Sequence, residues 1–330
     1  TALKKDPVAA AYFYDPQGQP WPVGHRLRNP ELAAVLHGIA QHGSGAMTTG
    51  GLAQAIADKV QKHPTNPGTL SVQDLAAYRA VGREPLCFDY PVAAGPAGAA
   101  RNYSLCGMPP PSSGAIAIGQ ILGMMRHTSP AAHSLRDGVP SADWLHQYTE
   151  AARLAFADRA QFVADPAFVQ APGGDWGSLL APDYLAQRAK LIDFSPTGQR
   201  MKTAVAGNPG DVRLAYAPML EQDEFGTSHI SVVDGYGNAL AMTSSIEDGW
   251  GSRLMVNRGL GLGGGFLLNN EMTDFSFSPA DAAGHPIANR VEPGKRPRSS
   301  MSPTLVFDKA SGQLVLSGGS PGGALIIHFT

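Results

Sequence analysis

A threonine at the start of a predicted strand is the residue in this sequence best placed to act as a nucleophile. Gly226-Thr227 precedes two apolar-rich runs, 230–233 and 239–246, and the turn-forming residues 234–238 between them predict a β-hairpin. If the Gly226–Thr227 bond is cut, Thr227 gains an α-amine, whose unperturbed pKa is about 7.7–8.0. That amine can accept the hydroxyl proton near neutral pH, so that one residue serves as nucleophile and base. Spacing alone favours the simpler interpretation, a tight turn that leads into a sheet.

Three residue pairs in the second half of the chain could contact a substrate. They are the hydroxyl pair Ser299 and Ser300, the acidic pair Glu271 and Asp274, and the glycine pair Gly322 and Gly323. Adjacent hydroxyls with free backbone amides can bind a carboxylate, and glycine lets backbone N–H groups approach one oxygen closely. Taken alone, the pairs are more typical of a surface loop, a solvated acidic turn and an ordinary tight turn.

The order of the predicted elements indicates the fold class. In the first half, apolar residues recur at helical spacing over residues 31–42, 50–62, 115–125, 141–163 and 182–192. After the hairpin, strands are predicted near residues 265–269, 304–307 and 313–317. Helices first and hairpin-linked strands afterwards are typical of an α+β fold, in which helices pack on an antiparallel sheet.

The two cysteines, Cys87 and Cys106, flank a segment whose tip is rich in glycine, alanine and proline. If residues 89–90 and 102–105 pair as a hairpin, the two sulfur atoms meet across its base. A disulfide there would favour an oxidising compartment. Two unlinked thiols are the alternative, and the disulfide is slightly favoured because the tip would otherwise be loosely anchored.

The composition and net charge of the chain limit the classes of function that it can have. The chain has 330 residues and a formal net charge of −2, with no basic block for nucleic acid and no acidic tail. The longest apolar run, 115–125, is shorter than the roughly 18 residues of a membrane span. The histidines lack metal-ligand spacing, so we expect neither a metal nor an organic cofactor. The chain starts without methionine and ends where a helix begins, so we expect it to continue at both ends, and the lack of a signal peptide is uninformative.

Four motifs occur in a fixed order in the second half. They are T-S-H-I-S-V-V-D-G-Y-G-N-A from Thr227, G-F-L-L-N-N-E-M-T-D-F-S from Gly265, P-G-K-R-P-R-S-S-M-S-P-T from Pro293 and G-S-P-G-G from Gly319. Together they resemble the γ-glutamyltransferase family of N-terminal-nucleophile (Ntn) hydrolases. D-L-A-A-Y at 74–78, P-P-P-S-S-G at 109–114, A-D-R at 157–159 and D-P-A-F at 165–168 extend the resemblance to nearly the whole chain, and we assign these four motifs structural roles only. The resemblance implies an Ntn-hydrolase αββα four-layer sandwich, with antiparallel sheets flanked by helices.

The same resemblance implies a division at the Gly226–Thr227 bond. Residues 1–226 correspond to the C-terminal part of a large (α) subunit, and residues 227–330 to the N-terminal part of a small (β) subunit. Both parts would form one Ntn-hydrolase domain, with the two subunits of one precursor as a heterodimer. Thr227 is then the nucleophile that self-cleavage exposes, and Ser245 matches a family threonine whose hydroxyl bonds to the nucleophile.

Substrate-binding roles also follow from the resemblance. It assigns the oxyanion loop to Gly322 and Gly323, the site of a glutamyl α-carboxylate to Ser299 and Ser300, and the site of its α-ammonium to Glu271 and Asp274. Glu247 replaces an asparagine of many family members, and a third carboxylate at the ammonium site leads us to expect hydrolysis over transpeptidation. The arginine that pairs with the α-carboxylate in the family lies outside this chain. His229 is interpreted as packing or hydrogen-bonded support rather than as a base.

The implied activity is cleavage of γ-glutamyl amides such as glutathione through a γ-glutamyl-threonine acyl-enzyme, with water or an acceptor amine as second substrate. Two alternatives remain. An amidase of the same fold could act on glutaryl-type amides, such as a cephalosporin side chain, which lack the ammonium group. The chain could instead be an uncleaved, inactive binding module. We expect a periplasmic or secreted location and no nucleic-acid partner.

Overall fold

The computed structural model describes residues 2–94, 98–127, 134–195, 198–211, 216–220, 222–224 and 226–330. The α-helices are α1 (Pro7–Phe13), α2 (Pro30–His42), α3 (Gly45–Thr48), α4 (Gly50–Gln61), α5 (Val72–Ala77), α6 (Gly114–Met125), α7 (Ala142–Phe162), α8 (Pro182–Ala189) and α9 (Ile326–Phe329). The strands are β1 (Leu86–Val92), β2 (Arg101–Gly107), β3 (Leu135–Arg136), β4 (Val139–Pro140), β5 (Ser228–Val233), β6 (Ala239–Ser244), β7 (Met255–Val256), β8 (Phe266–Leu267), β9 (Thr304–Asp308) and β10 (Leu314–Gly318). No helix among the described residues is long and apolar enough to cross a membrane.

The chain forms two compact units. Unit 1 contains Thr1–Gly82 and Ile246–Asn270, and unit 2 contains Arg83–Ser245 and Glu271–Thr330. Unit 1 therefore holds α1–α5, β7 and β8, and unit 2 holds the other helices and strands named above. Each unit includes residues from both sides of the Gly226–Thr227 bond. A cut at that bond would leave each unit built from two separate chains.

The main sheet of unit 2 joins distant parts of the sequence. Its order is β1-β2-β9-β10 with antiparallel neighbours, so β2 from the first half pairs with β9 from the second. α6 contacts this sheet and packs against α7 and α8. The buried core that these three helices share includes Ile116, Ile121, Met124, Leu154 and Leu185. Helices thus pack on an antiparallel sheet, as the order of elements predicts.

The predicted hairpin is confirmed as β5 and β6. The strands pair in antiparallel register, which starts with Ser228 opposite Ser244. Asp234 closes the turn by accepting hydrogen bonds from two backbone N–H groups, both at 2.9 Å. Because the turn fixes the register, the next residues along the two strands, Thr227 and Ser245, come side by side.

A disulfide joins Cys87 and Cys106, so the alternative of two unlinked thiols is wrong. The two residues are direct partners in the register of β1 and β2, with Cα atoms 4.1 Å apart. Pairing of the strands therefore brings the sulfur atoms together without further rearrangement. The crosslink ties the two ends of the loop between β1 and β2.

A buried ion pair fixes α8 against α7. Oδ1 of Asp158 lies 3.1 Å from Nη2 of Arg188, and these side chains are only 1 % and 5 % exposed. The carboxylate also accepts hydrogen bonds from the Tyr184 hydroxyl at 2.6 Å and the Gly207 N–H at 2.8 Å. Burial raises the pKa of Asp158, although the charge of Arg188 and these donors act against it. Since Asp158 precedes Arg159 on α7, the network also helps to position the Arg159 side chain.

Unit 1 attaches α2 to the β7–β8 segment. Asn29 caps α2 by accepting a hydrogen bond from Leu32 N at 2.9 Å, and its side-chain amide donates to the Gly265 carbonyl at 2.8 Å. Glu31 in the first turn pairs with Nε of Arg258 at 2.7 Å. Beneath these contacts lies a small apolar core formed by Val35, Leu52, Ile56 and Val256.

Replacing Arg188 with methionine should destabilise the folded protein by about 3–5 kcal/mol, because Asp158 is left as a buried charge without its partner. The free energy of unfolding in urea, measured on the complete protein, gives the value. Lys62→Met is the matched control, since Lys62 is 73 % exposed in its pair with Asp58 and should leave stability unchanged within error. Equal losses in the two variants would contradict this account of Asp158.

Candidate active site

Thr227 lies immediately before β5 and follows a residue that requires a glycine conformation. Gly226 has a φ of 71°, in the left-handed region that other side chains disfavour. The structure describes the uncut chain, in which the Thr227 nitrogen is an amide and not a base. The side chain of Thr227 is partly buried. The glycine therefore has a conformational role at the predicted cleavage site.

The Thr227 hydroxyl donates a hydrogen bond to the hydroxyl of Ser245, with the two oxygen atoms 3.3 Å apart. The register of β5 and β6 explains the contact, because both residues follow the pair of Ser228 and Ser244. The structure thus brings together the two residues that the sequence predicts as nucleophile and hydroxyl partner. A serine hydroxyl can both accept and donate, so it can orient the nucleophile while a proton moves.

His229 is a hydrogen-bonded support, as the sequence predicts. Its Nδ1 lies 2.8 Å from the Thr243 hydroxyl, and its Nε2 lies 3.0 Å from the Ser231 hydroxyl. A Cβ atom at Gly319 would overlap the imidazole ring, so this glycine lets the segment after β10 lie against His229. Both ring nitrogens are engaged by hydroxyls other than that of Thr227.

Gly322 and Gly323 form a turn after β10 in which both residues have positive φ, 130° and 56°. A Cβ atom on Gly323 would overlap the backbone carbonyl of Glu224. No hydrogen bond joins either glycine N–H to another residue in the described part of the chain. Backbone N–H groups of this kind are the donors that stabilise an oxyanion.

Ser299 is fixed by the segment that precedes α6. Its N–H donates to the Pro111 carbonyl at 3.0 Å, and its carbonyl accepts bonds from the N–H and the hydroxyl of Ser113, each at 2.8 Å. Its hydroxyl accepts a bond from the Met301 N–H at 3.1 Å. The prediction of free backbone amides is therefore wrong for Ser299, because the proline-rich lead into α6 takes that amide. Among the described residues this hydroxyl donates no hydrogen bond, so it can donate its proton to a ligand.

Ser300 lies beside a buried ion pair. Its hydroxyl donates to Oε2 of Glu224 at 2.6 Å, and Nη2 of Arg159 lies 3.1 Å from Oε1 of the same carboxylate. Arg159 also donates to the Ser300 hydroxyl, and its Nε donates to the Ser113 hydroxyl at 2.9 Å. The Arg159 and Glu224 side chains are only 7 % and 12 % exposed. Burial acts to raise the pKa of Glu224, but the charge of Arg159 and the Ser300 donor hold it below its usual range.

Arg298 is a second buried arginine near this pair. Burial and the charge of Arg159 lower the pKa of Arg298 to about 9, so it is still a cation at neutral pH. The charges of Glu224 and Asp274 act in the opposite direction. Within the described residues, Nε of Arg298 has no hydrogen-bond partner. Two buried guanidinium groups thus lie near the one carboxylate that bridges Arg159 and Ser300.

Sequence reasoning did not identify Arg159 or Glu224 as site residues. We assign the A-D-R motif a structural role only, and Asp158 of this motif does form a buried ion pair with Arg188. Two weak signals were present: a carboxylate three residues before Thr227, and an arginine on the apolar face of a long helix. Neither signal reveals that the two side chains meet.

Glu271 and Asp274 lie on one 3-10 turn of unit 2, Glu271–Asp274, and both side chains are partly exposed. The Gln222 amide donates to a backbone carbonyl of this turn at 3.0 Å. Gln222 belongs to the same short segment as Glu224. The segment before Thr227 therefore contacts both the acidic turn and Ser300.

Glu247 lies in unit 1 and is 6 % exposed, with a φ of 71°. Its carboxylate accepts a hydrogen bond from the side-chain amide of Asn270. Glu271 and Asp274 belong to the other compact unit, unit 2. The predicted grouping of these two carboxylates with that of Glu247 around a substrate ammonium therefore stays a prediction.

Unit 2 contains groups that could serve in acyl transfer, apart from a free base. They are the hydroxyl of Thr227, the predicted nucleophile, a second hydroxyl beside it, a turn with two N–H groups, and the Arg159 and Ser300 side chains that contact the Glu224 carboxylate. Such a set can transfer an acyl group once a base becomes available. Among the described residues, no group of three His, Cys, Asp or Glu side chains could hold a metal ion.

Comparison with known proteins shows that the chain is similar to members of one enzyme family. A family model described as Gamma-glutamyltranspeptidase matches residues 1–330. The chain is 36 % identical over 315 residues to the glutathione hydrolase proenzyme of Escherichia coli strain K12. The aligned region covers 94 % of this chain and 48 % of that protein. It is also 31 % identical over 320 residues to the acylase ACY 1 proenzyme of Pseudomonas sp. strain SE83. That alignment covers 97 % of this chain and 49 % of the acylase proenzyme.

A solved structure supports the same placement. The crystal structure of Helicobacter pylori gamma-glutamyltranspeptidase is 25 % identical, with a TM-score of 0.52, over 64 % of this chain and 54 % of that one. The family match and this likeness confirm the predicted fold class, an Ntn-hydrolase αββα sandwich. The chain spans about half the length of the curated relatives it matches, 48 % and 49 % of the two above.

Glu224→Gln should lower the stability of the uncut chain at neutral pH by about 1.5–3 kcal/mol, the usual net value of hydrogen bonds to a charged group. Because the folded-state pKa of Glu224 is depressed, its contribution is fully present above the unfolded pKa of about 4.3 and is lost as pH falls through the folded-state pKa. Urea unfolding of both proteins, made uncleavable by Thr227→Ala, should show a constant difference at pH values above about 4.3 and a shrinking difference as the pH falls further. A difference that stays constant down to about pH 3 would contradict the assignment of a bound carboxylate.

Proposed function

The chain belongs to the gamma-glutamyltranspeptidase family, and we propose that the protein cleaves γ-glutamyl amides such as glutathione with Thr227 as its N-terminal nucleophile. The observation that carries the proposal is the 3.3 Å hydrogen bond between the hydroxyls of Thr227 and Ser245, directly after a glycine with left-handed backbone. A threonine in this position is suited to acyl transfer, because cleavage of the bond before it supplies the missing base.

Self-processing would begin with attack of the Thr227 hydroxyl on the carbonyl carbon of Gly226. The peptide C–N bond breaks while the nitrogen takes up the hydroxyl proton, which leaves an ester between Gly226 and the Thr227 oxygen. Water hydrolyses this ester, so that Gly226 keeps a carboxylate and Thr227 gains a free hydroxyl and a free α-amine. The turn before the bond to be cut depends on glycine, since Gly226 has a left-handed φ of 71° that other residues disfavour.

In the mature protein, the α-amine of Thr227 would take the hydroxyl proton as the oxygen attacks the γ-carbonyl of the substrate. The N–H groups of Gly322 and Gly323 would stabilise the oxyanion of the tetrahedral intermediate. The amine then returns the proton to the leaving amine, and a γ-glutamyl-threonine ester remains. Water or an acceptor amine attacks that ester and releases the glutamyl group. No step requires a metal or an organic cofactor.

Substrate contacts follow the polarity of a glutamyl group. We assign the α-carboxylate to the hydroxyls of Ser299 and Ser300 and the α-ammonium to Glu271 and Asp274, where the opposite charge is needed. Glu247 would add a third carboxylate near the ammonium group. That excess negative charge crowds the approach of an acceptor amine, so hydrolysis should outrun transpeptidation.

A second candidate is an amidase that acts on glutaryl-type amides, and the 31 % identity to an acylase proenzyme favours keeping it. Glutaryl groups have the carboxylate but lack the ammonium group, so the two activities depend differently on Glu271 and Asp274. Matched γ-glutamyl and glutaryl anilides separate them on the complete protein. Faster turnover of the glutaryl anilide would make this candidate the better one.

The proposal includes a heterodimer of two fragments and a location outside the cytosol. Each compact unit contains residues from both sides of Gly226–Thr227, so the fragments would stay together after the cut. The disulfide of Cys87 and Cys106 favours an oxidising compartment, such as the periplasm or the exterior.

The complete protein should cut itself between Gly226 and Thr227. A denaturing gel should show two fragments, and the smaller should begin with the sequence Thr-Ser-His. Thr227→Ala should leave one uncut, inactive chain, and Thr227→Ser should cut more slowly, because its primary hydroxyl lacks the methyl group that orients threonine. Full activity in a wild-type protein with an intact mass would exclude this mechanism, and an uncut wild type without activity would favour a binding module.

Combined Ser299→Ala and Ser300→Ala substitutions should reduce kcat/KM for γ-glutamyl anilide by about tenfold or more for each hydroxyl, since a hydrogen bond to a charged group contributes about 1.5–3 kcal/mol. Self-cleavage should still go to completion, because it involves no substrate carboxylate and because Arg159 keeps its ion pair with Glu224 in the double variant. Ser311→Ala is the matched control, since Ser311 lies in the β9–β10 turn, where its hydroxyl contacts Asp308. An unchanged kcat/KM in the double variant would place the carboxylate site elsewhere.

A further inference from the structure

His328 forms a partly buried aromatic contact between α9 and α7. Its Nδ1 lies 3.0 Å from the Tyr148 hydroxyl, and its ring stacks on Phe156, with ring centroids 4.9 Å apart and planes 11° apart. The Tyr148 ring meets the imidazole edge-on, with centroids 5.9 Å apart. Tyr148 and Phe156 are about two helical turns apart on one face of α7, and the imidazole contacts both. One long helix therefore fixes the position of His328 through two rings and a hydroxyl.

α9 is joined directly to the proposed oxyanion turn. A single 3-10 turn, Gly323–Leu325, connects the two. The Leu325 N–H donates to the Gly322 carbonyl at 3.1 Å. A Cβ atom on Gly322 would come within 3.1 Å of the Phe329 ring, so this ring of α9 lies against the turn. A shift of α9 would therefore move the N–H groups of Gly322 and Gly323.

We propose that His328 is a positioning residue of the reaction: its neutral ring holds α9 against α7 and so fixes the N–H groups of Gly322 and Gly323, and its protonation releases them. The inference rests on the proposed function for the role of this turn. It adds a residue that touches neither the substrate nor the reacting atoms. It also adds a reversible control of activity by pH that is separate from titration of the Thr227 amine.

The titratable and charged groups around His328 favour the neutral ring. α7 contributes the guanidinium of Arg159 and the hydroxyl of Tyr148, whose own pKa is raised by burial. Burial and the charge of Arg159 lower the pKa of His328, so the ring is neutral at pH 7. α6 also packs against α9 and contains no titratable residue. In the described part of the chain, Glu224 pairs with Arg159 at 3.1 Å, and no carboxylate raises the pKa of His328.

Protonation changes the contact as well as the charge. In the neutral ring, Nδ1 can accept a hydrogen bond from the Tyr148 hydroxyl, whereas in the cation both ring nitrogens are donors. Tyr148 must then turn its hydroxyl proton away, and a second positive charge lies partly buried near Arg159. Both changes favour a position of α9 in which the imidazolium reaches water. This movement would take the two glycine N–H groups away from the oxyanion that they stabilise.

The pH dependence of kcat/KM for γ-glutamyl anilide, measured on the complete protein and on His328→Gln, tests the inference. Glutamine does not titrate, and its side-chain amide can still bond to Tyr148. In both proteins the rate falls on the acid side as the Thr227 amine takes up a proton. The ratio of wild-type to variant values should be constant near neutral pH and fall about tenfold per pH unit below the pKa of His328, which lies under the usual 6.5. A ratio that stays constant over the whole acid range would overturn control by His328.

Tyr148→Phe removes only the hydroxyl that bonds to His328. It should lower kcat by about tenfold, less than the loss of about 10²–10³-fold on removal of an oxyanion donor. KM should change little, because the N–H groups act mainly on the transition state. His146→Gln is the matched control and should leave kcat unchanged, since His146 lies on the same helix and bonds to the Asp193 carbonyl at 2.9 Å. An unchanged kcat in Tyr148→Phe would overturn the positioning role.

Hydrogen exchange separates this inference from the proposed function, because it needs no turnover. In the complete protein made uncleavable by Thr227→Ala, adding His328→Ala should make amides of residues 319–325 exchange about tenfold faster, since the segment opens more often. Adding His146→Gln should not. Circular dichroism melts identify variants that fail to fold, and His328→Gln at acid pH, where it should exchange more slowly than the histidine protein, then takes the place of His328→Ala.

The two proposals fail in different ways. Cleavage of γ-glutamyl anilide with neither the rate ratio nor the exchange depending on His328 would refute the positioning role alone. Exchange that depends on His328, in a complete protein that does not cleave γ-glutamyl anilide, would refute the proposed function and leave the coupling between α9 and the turn.

Discussion

The carboxylate of Glu224 joins three parts of the chain: the helix α7 through Arg159, the loop before β9 through Ser300, and the segment that leads to Thr227. A buried ion pair is a poor source of net stability, because removing two charges from water costs nearly as much as their attraction returns. Its value is positional. The pair holds Glu224, three residues before Thr227, beside Ser300 and with its backbone carbonyl against Gly323.

Other contacts serve this arrangement by fixing each partner separately. Asp158 and Arg188 hold α7 against α8, so that Arg159 projects from a rigid helix. The bonds between Ser299 and Ser113 fix the loop that carries Ser300 against the start of α6. The register of β5 and β6 is sufficient to bring the Thr227 and Ser245 hydroxyls together. Positioning by rigid helices and strands is what precise acyl-transfer chemistry requires.

Structural elements formed by residues close together in the sequence could be predicted, whereas contacts between residues far apart in the sequence could not. The hairpin of β5 and β6 follows from two apolar-rich runs around a glycine-containing turn, and the long helix α7 from its helical spacing. The pairing of Cys87 with Cys106 is nearly local as well, since one hairpin brings them together. Arg159 and Glu224 are 65 positions apart, and nothing in either neighbourhood indicates that they meet. For the same reason, sequence reasoning treated the Ser299 amide as free, although a proline-rich segment far away in the chain binds it.

The central claim is that Thr227 carries the acyl group, and the mass of the small fragment tests it most directly. Mature protein would be mixed with a γ-glutamyl anilide, quenched in acid within the first turnovers, and the fragments weighed by mass spectrometry. The fragment beginning at Thr227 should gain the mass of one γ-glutamyl group, and peptide mapping should place this group on Thr227. A γ-glutamyl adduct on any other residue, or rapid hydrolysis with no adduct under conditions in which the ester should accumulate, would contradict the central claim.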